Sequence, residues 1–159
     1  MGVFQENICD CCVCPMQCVL QQFIRENVVI RTLFTQVRVM ISSVKDFNVI
    51  GSDPDSGIPI CVPISQILSF LPEESKLVTL KSIRKNVKGD CACIEDSLTN
   101  KLTKKINDNV NIGSGFNDLI SGTITQVGEG IVIVENEVSQ QFIISTCNGV
   151  FFVENVPNR

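Results

Sequence analysis

The chain contains the same succession of sequence elements twice, and this repeat constrains the fold more than any other feature. The segment from Val28 alternates short β-rich runs with turn signals, and the segment from Val110, 82 residues later, does so in the same order. Upstream of each segment, a Cys-x-Cys pair leads into a stretch with helical spacing of apolar residues, "CVCPMQCVLQQFIREN" and "CACIEDSLTNKLTKKINDN". Because a repeat of this length is one structural unit, the sequence predicts two copies of a small domain.

Each unit is predicted to contain a short helix followed by five short strands. In the helices, the apolar residues at helical spacing are Val19, Leu20, Phe23 and Ile24 in the first unit, and Leu98, Leu102 and Ile106 in the second. In the strands, apolar and polar residues alternate, as in "VRVMIS", which predicts one buried and one exposed face. This order of elements is that of a small, strongly bent Sm-like or SH3-like barrel. The sequence therefore predicts a mainly β protein with two tandem five-stranded barrels, each preceded by a short helix; a single jelly-roll β-sandwich is the alternative.

The same pattern predicts the domain boundaries. They are a cysteine-rich N-terminal connector in residues 1–14, a helix and first barrel in 15–72, a basic linker in 73–90, and a helix and second barrel in 91–156. The linker is either a solvated connector or a basic face that docks on an acidic neighbour, and its "KLVTLKSI" run has the composition of an extra strand.

Cysteine is concentrated at the start of the chain. The stretch "CDCCVCPMQC", residues 9–18, holds five of the nine cysteines. Most of these cannot pair with one another, because a disulfide needs a Cα separation near ~5.5 Å and a fixed torsion. An odd total also leaves at least one cysteine free or bonded to another chain. The N-terminal cysteines would therefore pair with Cys91 and Cys93 of the second unit or with another chain. Intermolecular disulfides are favoured, and the candidates are Cys9, Cys11, Cys12, Cys14, Cys18, Cys91 and Cys93.

Metal binding is the alternative for some of these cysteines. Zinc takes four ligands, for which thiolates alone suffice, and copper(I) also binds Cys-x-Cys. Cys12, Cys14, Cys91 and Cys93 would form one such site across the two units. Cross-linking is favoured over this site, so no cofactor is expected, with zinc or copper as the alternative.

Two cysteines lie apart from the others. Cys61 and Cys147 are each in or just after the fourth strand of their unit, among apolar neighbours. Since a buried cysteine behaves as a small apolar residue, both are predicted to be buried structural thiols.

Composition argues against catalysis and against nucleic-acid binding. The chain has no histidine, which removes Ser–His and Cys–His pairs and His-ligated metals, so an enzyme is not expected. A net charge of −4 and the lack of Tyr and Trp disfavour a nucleic-acid surface. The turn Lys45–Asn48 lies where Sm proteins place an Asp and an Asn around an RNA base, whereas the second unit has Gly128–Gly130 there. A polar turn in which Asn48 bonds its own backbone is favoured, and a discrete RNA-binding module is the alternative.

The N-terminus has no secretory signal, and no apolar run approaches the ~20 residues that span a bilayer. The protein is therefore expected to be made in a cytoplasm, where thiols stay reduced, and to have no membrane partner.

These patterns resemble two groups of known proteins. The strand pattern that closes the first unit with "VPISQILSF" resembles the Sm-like modules of small spore-coat proteins of Bacillus and its relatives, and "CDCCVCPMQCVLQQ" resembles the cysteine-rich starts of spore-surface proteins. Such proteins build the coat, the exosporium or endospore appendage fibres. The resemblance implies a structural protein that assembles with itself, and with other spore-surface proteins, and is then locked by intermolecular disulfides. It also implies synthesis in the mother-cell cytoplasm without a signal peptide and a final place on the spore surface.

Overall fold

A computed structural model of the protein describes residues 13–80, 98–115 and 118–156, without the side chains of residues 13 and 14. Nearly all of the predicted connector 1–14 and the linker beyond residue 80 lie outside this range. So do five of the candidate cysteines, namely Cys9, Cys11, Cys12, Cys91 and Cys93.

A short helix precedes the strands in each unit. Helix α1 (Val13–Leu20) continues into a 3-10 turn (Gln21–Phe23), and helix α2 covers residues 98–103. Pro15 lies in the first turn of α1, where a missing N–H removes no helical hydrogen bond. Residues three or four positions apart form the buried face of α1 and its turn, namely Met16, Val19, Leu20 and Phe23. In α2, Leu102 is fully buried. The expected helical positions of Ile24 and Ile106 are wrong, because both residues follow the last helical residue, and Ile24 is 37% exposed.

Five strands follow each helix. Those of the first unit are β1 (Asn27–Arg31), β2 (Gln36–Lys45), β3 (Asn48–Ser52), β4 (Pro59–Pro63) and β5 (Ser69–Pro72). Those of the second unit are β6 (Asn109–Gly113), β7 (Leu119–Gly128), β8 (Ile131–Glu135), β9 (Gln141–Ser145) and β10 (Phe152–Asn155). The prediction of a mainly β protein with short helices is confirmed.

The ten strands form one antiparallel sheet in the order β10-β6-β7-β8-β9-β5-β1-β2-β3-β4. The sheet is not closed, so the two separate barrels predicted from the sequence are not confirmed. Instead, the fourth strand of the second unit pairs with the fifth strand of the first. One continuous sheet also differs from the jelly-roll alternative, which has two sheets. Alternation within a strand specifies which side chains are buried, but not which strand lies beside it.

Hydrogen bonds and bulges recur at equivalent positions in the two units. The N–H of Arg25 donates to the carbonyl of Ile41 over 2.7 Å, and the N–H of Asn107 donates to that of Ile124 over 2.8 Å. Arg25 and Asn107 share a φ of 73°. A bulge follows Ile41 in β2 and Ile124 in β7. The predicted repeat is therefore present in the structure; the equivalent residues are 82 apart at Arg25 and Asn107 and 83 apart at Ile41 and Ile124.

Two apolar cores share strands where the units meet. In β8, Ile131 and Ile133 belong to the first core, whereas Val132 and Val134 belong to the second. Since successive side chains point to opposite faces of a sheet, the cores lie on opposite faces of β8. The apolar run "IVIV" in the sequence corresponds to this burial on both faces.

Each unit has one glycine where its second and third strands approach most closely. A Cβ on Gly51 of β3 would lie 2.1 Å from the carbonyl oxygen of Met40, and a Cβ on Gly122 of β7 would lie 2.4 Å from that of Glu135. The glycine is on a different strand in each unit, but the close approach of backbone is retained. Glycine inside a strand often marks a site where another backbone approaches this closely.

We expect Gly51→Ala to lower the free energy of unfolding by about 2 kcal/mol, because the obstructing atom is a backbone carbonyl that can only move with its strand. Urea unfolding followed by far-ultraviolet circular dichroism measures this change. Ser42→Ala, at an exposed position of β2, is the control and should alter stability by less than about 0.5 kcal/mol. Equal effects of the two substitutions would contradict the close approach.

Candidate assembly interface

Among the residues that the structure describes, the sheet ends in two strands with no neighbour on their outer side, β4 and β10. β4 is the fourth strand of the first unit, and β10 is the fifth strand of the second. Inside the chain, a fourth and a fifth strand already pair with each other, because β9 lies beside β5. In the described part of the chain, a fourth and a fifth strand thus pair once, and the two outer edges belong to the remaining strands of the same two kinds. An exposed strand edge is a template for pairing with another chain.

The internal contact between β9 and β5, called the internal junction below, has a defined register. Phe70 lies directly opposite Ile143, and Ser69 lies opposite Ile144. The N–H of Ser145 donates to the carbonyl of Leu68 over 2.9 Å. Backbone bonds thus hold the two units together as they hold strands within a unit.

The outer edge of β4 presents one N–H and three carbonyls. The N–H of Ile64 donates to the carbonyl of Phe47 over 2.9 Å, so even-numbered residues of β4 bond to β3. By alternation, the backbone groups of Pro59, Cys61 and Pro63 point away from β3. Cys61 offers both a donor and an acceptor, whereas the prolines offer carbonyls alone. This edge is therefore only partly protected against pairing.

The outer edge of β10 carries both donors and acceptors. The N–H of Val156 donates to the carbonyl of Asn109 over 3.1 Å, which places the even-numbered residues of β10 toward β6. The N–H and carbonyl groups of Val153 and Asn155 therefore point outward, where the described part of the chain has no strand to receive them.

Side chains at the β4 edge are more exposed than their counterparts at the internal junction. Ile50 of β3 corresponds in the repeat to Ile133 of β8; Ile50 is 37% exposed and Ile133 is 0% exposed. Likewise, Cys61 corresponds to Ile143, and Cys61 is exposed while Ile143 is buried. The side chains exposed at the β4 edge are therefore the counterparts of side chains that are buried at the internal junction.

The β10 edge is apolar as well. Phe151 is 56% exposed and Phe152 is 54% exposed. The next residue, Val153, is half-buried, whereas its counterpart in the first unit, Phe70, is fully buried beside β9. The second core thus remains open at the edge where the first core is closed by a neighbouring strand.

The prediction that Cys61 is a buried structural thiol is wrong. Its side chain is exposed because it points to the face opposite the buried Val62, on the last strand of the described sheet. The burial predicted for Cys147 is also wrong, since this residue is half-buried and is not a free thiol. Cys61 and Cys18 are the free cysteines among the described residues.

Two of the predicted cross-linking cysteines belong to helix α1. Cys18 is half-buried, and Cys14 lies one helical turn before it. The side chains of Cys14 and of the five candidates named above lie outside the described residues, and the cross-linking role of all seven candidates remains a prediction. For the same reason the four-cysteine metal site stays untested; in the described ranges, no group of three or more His, Cys, Asp or Glu residues is placed to hold a metal ion.

The turn Lys45–Asn48, which occupies the place of the RNA-contacting turn of Sm proteins, contains hydrogen bonds among its own residues. Asp46 and Phe47 have φ values of 51° and 61°, and Nδ2 of Asn48 donates to the carbonyl of Asp46 over 2.9 Å. The N–H of Phe47 donates to Oε1 of Gln17 in α1 over 3.0 Å. The expectation that Asn48 bonds its own backbone is confirmed.

The described part of the basic linker, residues 73–80, has no regular strand. It packs between the units instead, with Val78 buried in the first core. The hydroxyl of Ser75 donates to the carbonyl of Ser139 over 2.7 Å, and the N–H of Lys76 donates to Oε1 of Gln141 over 3.0 Å. This segment therefore fastens the second unit to the first.

Comparisons with protein-family models, with curated proteins and with solved structures find no match to this chain. None of the helices in the described ranges has the length and apolar character needed to cross a membrane.

Proposed function

We propose that this chain is a structural protein, not an enzyme, that assembles with copies of itself and is cross-linked by disulfides between neighbouring subunits. The observation that carries the proposal is the position of Cys61. Its thiol is free and exposed in the middle of β4, which has no outer neighbour among the described residues, and the repeat has a buried isoleucine at this position in the internal junction. A reactive side chain thus occupies a surface whose counterpart is an interface.

The cysteines of residues 9–18 are the second part of the proposal. They precede or belong to α1, whose packing on the first core leaves Cys18 only half-buried. Each disulfide would form from two thiols, which lose two protons and two electrons to an oxidant such as molecular oxygen. Because thiols stay reduced in a cytoplasm, these bonds would form after the protein leaves it.

The resemblance to spore-surface proteins supplies the proposed location. A protein made in a mother cell would meet an oxidising environment when that cell lyses, without needing a secretory signal. The Sm-like strand order of the two units, with the fifth strand beside the first, supports the structural part of this resemblance. Coat, exosporium and appendage fibre are all compatible with a self-assembling subunit.

The proposal predicts a reductant-sensitive ladder. Native assemblies boiled in SDS without reductant should run as a ladder or stay in the well, and should collapse with reductant to a band of about 17.5 kDa. Replacing Cys9, Cys11, Cys12 and Cys14 by serine should remove most of the ladder, and Cys61→Ser should remove part of it.

Thr35→Ser, which changes no cysteine, is the control and should leave the ladder intact. A single monomer band in both lanes would reject cross-linking. Bound zinc or copper in that purified monomer would then support the discrete metal-binding alternative.

A further inference from the structure

We infer that copies of this chain associate head to tail, with β4 of one copy pairing with β10 of the next in the register of the internal junction. The inference rests on the proposed function, since it names the surfaces through which the assembling subunits meet. β4 and β9 occupy the same place in their units, as do β10 and β5. A junction between copies would therefore continue the sheet as the internal junction does.

The repeat specifies the register between copies. At the internal junction Phe70 lies opposite Ile143. The counterparts of these residues are Val153 and Cys61, so Val153 of one copy lies opposite Cys61 of the next. The N–H and carbonyl groups of both residues point outward from their own sheets, and this pair therefore forms two backbone hydrogen bonds.

One internal hydrogen bond has no equivalent between copies. Ser145 donates to the carbonyl of Leu68 at the internal junction, and its counterpart in β4 is Pro63, which has no N–H. Proline at this position removes one hydrogen bond from the contact between copies but does not prevent strand pairing. Pro63 already has an extended conformation, with φ of −62° and ψ of 130°.

A second proline of β4, Pro59, also lacks an N–H, but the facing strand supplies a donor at this position. Pro59 has only a carbonyl to offer, and in the transferred register that carbonyl lies opposite the N–H of Asn155. At the internal junction the counterpart of Asn155 is Pro72, which cannot donate. The two edges are thus complementary, since the donor lies on the strand that faces the proline.

Side chains support the contact but make it weaker than the internal junction. The association covers Ile50 and Cys61 with the apolar edge formed by Phe151 and Val153. It lacks the ion pair of Arg31 with Asp118, which joins the two units over 3.2 Å, because the counterparts are a glycine and a threonine. The contact is heterologous, so it generates rings or helical filaments.

Association under reducing conditions tests the contact without disulfides. Pro63→Ser restores the missing N–H donor. The association constant, measured by sedimentation velocity, should rise about two- to tenfold. Asn155→Pro removes a donor from the other edge, at an exposed position, and should weaken association about tenfold. Pro54→Ser, in the turn between β3 and β4, is the matched control and should change nothing.

Cross-linking tests the register. After oxidation with oxidised glutathione, Val153→Cys should give a tryptic peptide that joins Cys61 of one copy to position 153 of another. Glu154→Cys places the new thiol on the opposite face of β10 and should give several-fold less of the corresponding peptide. Thermal melts of all variants establish that each one is folded.

The outcomes separate this inference from the proposed function. Equal association of the Pro63→Ser and Pro54→Ser variants, with no excess of the 61–153 peptide over the 61–154 peptide, would overturn the interface. If the SDS ladder were present in that case, cross-linking would stand and would proceed through another surface. Stronger association of the Pro63→Ser variant, without any SDS ladder, would support the interface and reject the cross-linking.

Discussion

Ile133→Asp should unfold the protein, whereas Ile50→Asp, the same substitution at the equivalent position of the repeat, should leave it folded. Ile133 is fully buried in the first core although it belongs to the second unit. A carboxylate there would be removed from water and placed among the apolar side chains that make up this core. We expect a loss of at least about 4 kcal/mol, a large part of the total stability of an ordinary domain.

Ile50 is more than a third exposed at the free edge, so aspartate there remains hydrated and should change stability by less than about 1 kcal/mol. The same charge would be buried when copies associate, and Ile50→Asp should therefore abolish association while preserving the fold. Urea unfolding and sedimentation velocity on both variants measure the two effects. Similar stability losses in the two variants would show that β8 is not shared between the cores.

The sequence predicted the contents of each unit better than the way the units join. Alternation in β2 correctly separated the buried Val39 and Ile41 from the exposed Met40. It held no information on the strand that lies beside β5, because the register between strands depends on surfaces brought together by folding. The run "IVIV" in β8 was the available signal, since a strand that is apolar on both faces needs a core on each.

The candidate site was predicted less well, and for a related reason. Cys61 was expected to be buried because its sequence neighbours are apolar, but its exposure depends on the position of β4 at the end of the sheet. The flanking prolines in "PICVP" carried that information, because proline within a strand pattern indicates an edge. The repeat alone did not reveal this difference, since Cys61 and Ile143 occupy the same place in their units.

Among truncations to alanine in the first core, the largest effect is expected at Phe70, where the core meets the internal junction. Its ring packs edge to face on that of Phe23, with 5.2 Å between centroids, and Nζ of Lys76 lies 4.5 Å from the Phe23 centroid. Phe70 also lies opposite Ile143 across the internal junction. Phe70→Ala would leave a cavity that the strands on both sides cannot close, which should cost about 3–5 kcal/mol.

Two further variants serve as controls for the loss of stability expected for Phe70→Ala. Phe34→Ala makes the same chemical change at a side chain that is 90% exposed and should cost less than about 0.5 kcal/mol. Phe70→Val installs the residue that the second unit has at this position and should cost less than Phe70→Ala, because more of the volume is kept. If Phe70→Ala were no worse than Phe34→Ala in urea unfolding, the first core would not extend across the internal junction. The free β10 edge, where Val153 takes the place of Phe70, would then need no covering strand, and the case for head-to-tail association would weaken with it.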